Sequence, residues 1–117
     1  MSASVLVVDD NGPARQAVEA VLESAGYAVT TASGGEEGIE RFRRSPVDLV
    51  VTDIMMPNKD GIELMREIRG LCPHVKILAL SGYPLLETVR RLGADATLAK
   101  PFDCDELLAK VAACLAS

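Results

Sequence analysis

The amino-acid sequence predicts an α/β fold in which a parallel sheet is covered by helices on both faces. Short β-branched runs recur along the chain, each stopped by Gly, Pro or an acidic residue. Between them, apolar residues fall at the i, i+3, i+4, i+7 spacing of helices with one buried face. The run from Val47 to Val51 is nearly all apolar, as a strand covered on both faces must be. Parallel strands cannot be joined by tight turns, so strict strand–helix alternation demands crossover helices.

Ser4 to Val8 reads as the first strand, stopped by Asp9-Asp10, and Asn11-Gly12-Pro13 reads as the entry to a helix with proline in its first turn. Ala14, Ala17, Val18, Val21, Leu22 and Ala25 form that helix's apolar stripe, and Gly26 ends it. Tyr27 to Ala32 is the second strand. Ser33-Gly34-Gly35 leads into a second helix that turns Ile39 and Phe42 inward and Glu36, Glu37, Arg41, Arg43 and Arg44 outward, and Ser45-Pro46 closes it. The third strand runs from Val47 and ends on Asp53. A turn at Pro57-Asn58-Lys59-Asp60-Gly61 then feeds a third helix with Ile62, Met65 and Ile68 at helical spacing. After Pro73 come a fourth strand, Val75 to Leu80, and a fourth helix, Pro84 to Leu92. A short fifth strand, Ala94 to Ala99, precedes a last helix from Asp103 to Leu115, with Leu107, Leu108, Val111 and Leu115 on one face.

A chain of 117 residues holds one ordinary hydrophobic core, so a single domain over residues 1–117 is expected. Apolar and charged fractions of 49% and 25% exclude a disordered chain, and no run is long enough to span a bilayer. The N-terminus lacks the pattern of a secretory signal, which predicts a cytoplasmic protein. Cys72, Cys104 and Cys114 have no Cys-x-x-Cys spacing, and the only histidine is His74, so neither zinc nor a disulfide framework is expected. A net charge of −5 argues against nucleic acid as a direct partner.

Asp9, Asp10, Asp53, Ser81 and Lys100 each lie at or just past the C-terminal end of a predicted strand, the edge at which open α/β sheets bind their ligands. Taken singly, Asp9 and Asp10 read equally as helix-entry caps, Ser81 as a turn residue and Lys100 as a strand-end charge. Taken together, three converging carboxylates repel unless a cation lies among them, and a hard divalent ion such as Mg2+ suits an open cleft of oxygen ligands. Asp53 is then placed to act as a carboxylate nucleophile toward a phosphoryl group, with Ser81 and Lys100 available to neutralise its oxygens.

Asp9-Asp10, Asp53 within Asp-Ile-Met-Met-Pro, the following Asp60-Gly61, Ser81, and Lys100-Pro101-Phe102 together resemble the receiver domain of bacterial response regulators over nearly the whole chain. The resemblance implies a flavodoxin-like doubly wound (βα)5 fold with strand order 2-1-3-4-5. It implies that Asp53 accepts a phosphoryl group from a phosphohistidine on a histidine kinase or phosphotransfer protein, in a two-component phosphorelay. Asp10 and Asp53 would bind Mg2+, or Mn2+ in its place, directly; Asp9 would bind through water and Met55 through its backbone carbonyl. Ser81 would hydrogen-bond the phosphoryl group and Lys100 would pair with it or with Asp53. The Lys100-Pro101 peptide is expected to be cis.

The same resemblance places the output surface on the fourth helix, fifth strand and fifth helix, facing an unidentified downstream protein, with the chain a monomer or a phosphorylation-dependent dimer. Such a domain is a signalling phosphoacceptor and not an enzyme. The alternative, a Mg2+-dependent phosphotransfer enzyme with an aspartyl-phosphate intermediate, needs a substrate pocket for which five βα units leave no room. The sequence departs from the family at Thr97, where an aromatic switch residue is usual, so output is expected to rely on the Ser81 loop and the fourth helix. Met55 and Tyr83 flank the path expected for the hydrolytic water. Their bulk predicts slow loss of phosphate, so Met55→Asn should shorten the phosphoryl lifetime; an unchanged or longer lifetime would refute this. The chain is expected to be either a single-domain regulator or a receiver cut from a larger protein such as a hybrid kinase.

Overall fold

The fold follows from how each strand divides its side chains between two helical layers. A computed structural model of the chain describes residues 2–56, 59–82 and 86–117. Its elements are β1 (Ser4–Val8), α1 (Gly12–Ser24), β2 (Ala28–Ala32), α2 (Gly35–Arg44), β3 (Leu49–Asp53), α3 (Gly61–Leu71), β4 (Lys76–Ser81), α4 (Leu86–Arg91), β5 (Ala96–Ala99) and α5 (Cys104–Ala116). The five strands form one parallel sheet in the order β2-β1-β3-β4-β5, as the resemblance implied.

Successive residues of a strand face opposite sides, and the core obeys that period. Leu6, Val8, Val50, Ile77 and Ala79 meet Ile39 and Phe42 of α2, Leu64, Met65 and Ile68 of α3, and Val89 of α4. Val5, Val7, Leu49, Val51, Leu78 and Leu80 face the other way, onto Val18 and Leu22 of α1 and Leu107, Val111 and Cys114 of α5. Every residue of β3 is buried, which is why Leu49, Val50 and Val51 follow one another without a polar alternation. β2 is an edge strand and tolerates exposed Ala28 and Thr30.

Local chemistry sets the element ends. Asn11 caps α1 by accepting the Ala14 N–H at 2.9 Å, and Gly26 follows the helix at φ +96°, a conformation costly for any residue with a Cβ. Asp60, which the sequence suggests is a turn residue, is the N-cap of α3 and accepts the Glu63 N–H at 2.9 Å. Asp103 and Glu106 form a reciprocal capping box that opens α5.

Several boundaries and faces differ from expectation. β5 begins at Ala96 and not at Ala94, because Ala94 is buried beneath α4 and bonded to the Val89 carbonyl, while the Asp95 carboxylate accepts the Ile77 N–H. On α5, Cys114 is buried, whereas Leu108 and Leu115 are only partly covered. Ala17 of α1 and Ala25, the residue that caps its end, are exposed, and Val18 and Leu22 form the buried contact. The expected start of the fourth helix at Pro84 lies outside the described residues.

Candidate functional site

The site lies where the direction of chain winding reverses. β1 and β3 are neighbours, yet the chain leaves β1 toward β2 and leaves β3 toward β4, which opens a crevice beyond their C-terminal ends. Asp9 and Asp10 follow β1, and Asp53 is the last residue of β3. Their carboxylates converge, with one oxygen from each lying within 4.8 Å of the others. Asp9 and Asp53 are buried, 2% and 7% exposed, whereas Asp10 is exposed to solvent.

Each acid is held differently. Asp9 continues the β1 ladder through its N–H to the Ala32 carbonyl, and its Oδ1 accepts the Asn11 N–H at 2.9 Å. Burial pushes the Asp9 carboxyl above its usual range. The Asn11 N–H and the Lys100 ammonium oppose that shift, and the charges of Asp53 and Asp10 reinforce it. Asp53 is oriented by its own backbone: Oδ1 accepts the Ile54 N–H at 2.8 Å, and Oδ2 pairs with Lys100 Nζ at 3.1 Å. Lys100 is set beside β4 by its N–H, which donates to the Ser81 carbonyl at 3.0 Å, and the Lys100-Pro101 peptide is cis.

Ser81 closes β4 opposite Ala99 and is buried, with its hydroxyl donating to the Gly82 carbonyl at 3.2 Å. Met55, two residues past Asp53, leaves its side chain largely exposed. Thr97 of β5 pairs with Ala79 of β4 and is half-buried. Tyr83 lies outside the described residues. The sequence-predicted Asp9, Asp10, Asp53 and Lys100 are thus brought together, and Ser81 is joined to them through the Lys100 backbone.

Sequence reasoning missed the contacts that Arg15, Gly61 and Lys59 make around these groups. Arg15 Nη1 donates to the Asp9 carbonyl at 2.9 Å, one helical turn past the Asn11 cap. The Gly61 N–H donates to the Ile54 carbonyl at 3.1 Å. A Cβ at Gly61 would lie 2.4 Å from the Asp53 carbonyl oxygen, so only glycine fits against the acid's backbone. Lys59 pairs with Glu67 at 2.6 Å. The Asp60-Gly61 dipeptide signalled the turn, but nothing in its spacing revealed that the turn closes on Asp53.

The donor set fits a hard divalent cation. Three mutually repelling carboxylates, one held protonated more readily by burial, are stabilised together when a positive charge lies among them. An acid cluster beside a lysine at the switch point of a doubly wound parallel sheet has the groups that phosphoryl chemistry uses. The match to a family model, the response regulator receiver domain, covers residues 5–112. The chain belongs to that family, the receiver domains of response regulators in two-component systems.

Response regulator MprA of Mycobacterium tuberculosis (strain H37Rv) is 39% identical over 118 residues, covering 98% of this chain and 51% of that protein. Sensor kinase CckA of Brucella abortus is 39% identical over 115 residues, covering 94% of this chain and 12% of that protein. The chain therefore spans about half the length of the first relative and a small part of the second. The solved structure of chemotaxis protein CheY4 of Vibrio cholerae superposes with a TM-score of 0.91 at 32% identity, covering 98% of this chain and all of that one. Among the described residues no helix is long and apolar enough to cross a membrane.

Proposed function

We propose that residues 1–117 act as one receiver unit in which Asp53 accepts a phosphoryl group from a phosphohistidine on a histidine kinase or a phosphotransfer protein. The observation that carries this reading is the placement of Asp53, whose Oδ1 is tied to the Ile54 N–H while Oδ2 faces the Lys100 ammonium at 3.1 Å. Oδ2 is the oxygen placed for attack. A new O–P bond forms as the P–N bond of the donor breaks, and the released imidazole nitrogen takes up a proton.

The chain's own groups handle the charge. Lys100 pairs with Asp53 and then faces the equatorial phosphoryl oxygens, and the Ser81 hydroxyl exchanges its Gly82 acceptor for one of them. Asp10 and Asp53 would hold Mg2+ (or Mn2+) directly, Asp9 through water, and Met55 through its backbone carbonyl. When bound, Mg2+ supplies positive charge against the carboxylates and the incoming phosphoryl oxygens. An open, mainly apolar cleft lined by Ala14, Ala17, Val18, Leu80, Pro101 and Phe102 adjoins Asp9 and Lys100. Its chemistry suits the apolar side of a donor protein better than a polar small molecule, which favours the signalling reading over a phosphotransfer enzyme.

The output reading places the changed surface on α4, β5 and α5, facing a downstream protein, with the chain a monomer or a dimer formed on phosphorylation. The half-buried Thr97 supports a route that does not need an aromatic side chain at that position. The decisive test is intact mass after incubation with Mg2+ and acetyl phosphate. The wild type should gain one phosphoryl group and Asp53→Asn none. A gain that survives Asp53→Asn removes Asp53 from the central role.

A further inference from the structure

We propose that Lys59, clasped by Glu67 and seated on Gly35, is a positioning residue for the acceptor; the inference rests on the reading of Asp53 given above. The Lys59 ammonium meets Glu67 Oε1 at 2.6 Å with its side chain only 18% exposed, which sets it apart from the solvent-exposed pairs of α2 and α4. Ordering a lysine side chain gives up conformational entropy, so a shielded pair held in one geometry is a specific contact and not a passing one.

On its other side Lys59 rests on the first turn of α2. A Cβ added at Gly35 would lie 2.4 Å from the Lys59 carbonyl oxygen and 2.7 and 2.9 Å from its Cγ and Cβ. Glycine is needed there for space. Lys59 is thus gripped between the start of α2 and the second turn of α3.

Two residues later, the same segment closes on the acceptor. Gly61 donates its N–H to the Ile54 carbonyl at 3.1 Å and leaves no room for a Cβ against the Asp53 carbonyl. Ile54 in turn donates to Asp53 Oδ1 at 2.8 Å. A displacement at Lys59 therefore reaches, through Gly61, the peptide that aims the Asp53 carboxylate. The pair touches neither the acid cluster nor Lys100, and it acts only through this chain of backbone contacts.

The test uses the whole chain and Mg2+ alone as probe, read by amide resonances in nuclear magnetic resonance. Lys59→Met and Glu67→Gln should each speed hydrogen exchange of the Gly61 amide in the metal-free protein about tenfold. They should also raise the Mg2+ concentration at half-saturation about tenfold, the scale seen when groups behind metal ligands are removed. The exchanged pair, Lys59→Glu with Glu67→Lys, should restore both readouts, which a merely structural loss of packing would not allow. Gly35→Ala provides an independent route to the same two changes.

Unaltered exchange and Mg2+ response in the folded single variants would overturn the proposal, as would failure of the exchanged pair to restore either. If Mg2+ moves no amide of the wild type, the acceptor-site reading fails, while the metal-free exchange comparison still decides whether Lys59 fixes the segment.

Discussion

At Asp9 two requirements oppose each other: the side chain is buried, yet it belongs to an acid cluster whose proposed use demands that it be ionised. Burial first, and the neighbouring Asp53 and Asp10 charges after it, raise its pKa above the usual 3.8. The native state therefore binds this proton more tightly than the unfolded chain does. Its contribution to stability is fully present below 3.8 and is lost as pH rises through the raised native value. Glu37 has the opposite sign, since hydrogen bonding from Ser33 lowers its pKa, but it is common to any pair of variants at Asp9. In metal-free protein, Asp9→Asn should therefore gain stability relative to wild type as pH climbs from the acid limit toward neutrality, followed by urea denaturation. A difference that stays flat with pH contradicts this. Adding Mg2+ should reverse the order, because ligand binding stabilises the native wild type by mass action and the variant less.

The element that ties the far end of the sheet together is the last turn of α3. Arg69 Nη1 donates to the carbonyls of Pro73, at 3.2 Å, and Val75, and Nη2 donates to the Gly93 carbonyl at 2.9 Å and to the Asp95 carboxylate. Asp95 also accepts the Ile77 N–H at 2.8 Å. One guanidinium thus joins the exit of α3, the entry of β4 and the turn between α4 and β5, using the fork geometry that lysine lacks. Arg69→Met should destabilise the chain by about 2 kcal/mol, since charged hydrogen bonds are lost from partly buried carbonyls. A change below about 0.5 kcal/mol in urea denaturation would show that water replaces the guanidinium without cost. The end that carries Asp53, at the opposite edge of the sheet, should keep the acetyl phosphate reactivity proposed for it.

For the molecule as a whole, the two helical layers share one sheet and should fail together. Phe42 is 1% exposed in the layer of α2 and α3, on the sheet face opposite α1 and α5. Phe42→Ala should cost about 3–5 kcal/mol through lost transfer energy and a cavity. Hydrogen exchange should report the loss in the strands and in α5 alike, as a two-state domain requires. Protection retained in α1 and α5 at wild-type level would instead show two independent layers.

The sequence by itself determined the alternation of strands and helices, the unbroken apolar start of β3 and the position of each candidate group at a strand end. These are local properties: periodicity, β-branching and turn chemistry need only neighbouring residues. The strand order was readable only by resemblance, since nothing local says that β3 returns to the far side of β1. Only the tertiary structure decided which groups meet. The approach of Lys100 Nζ to Asp53, the Arg15 bond to the Asp9 carbonyl and the closure of Gly61 on Asp53 join residues from separate elements or opposite ends of a loop. The late start of β5 has the same origin: Ala94 and Asp95 look like strand residues, but α4 and Arg69 hold them before the chain enters the sheet. Contacts of that kind depend on packing in three dimensions, and a one-dimensional pattern contains no term for it.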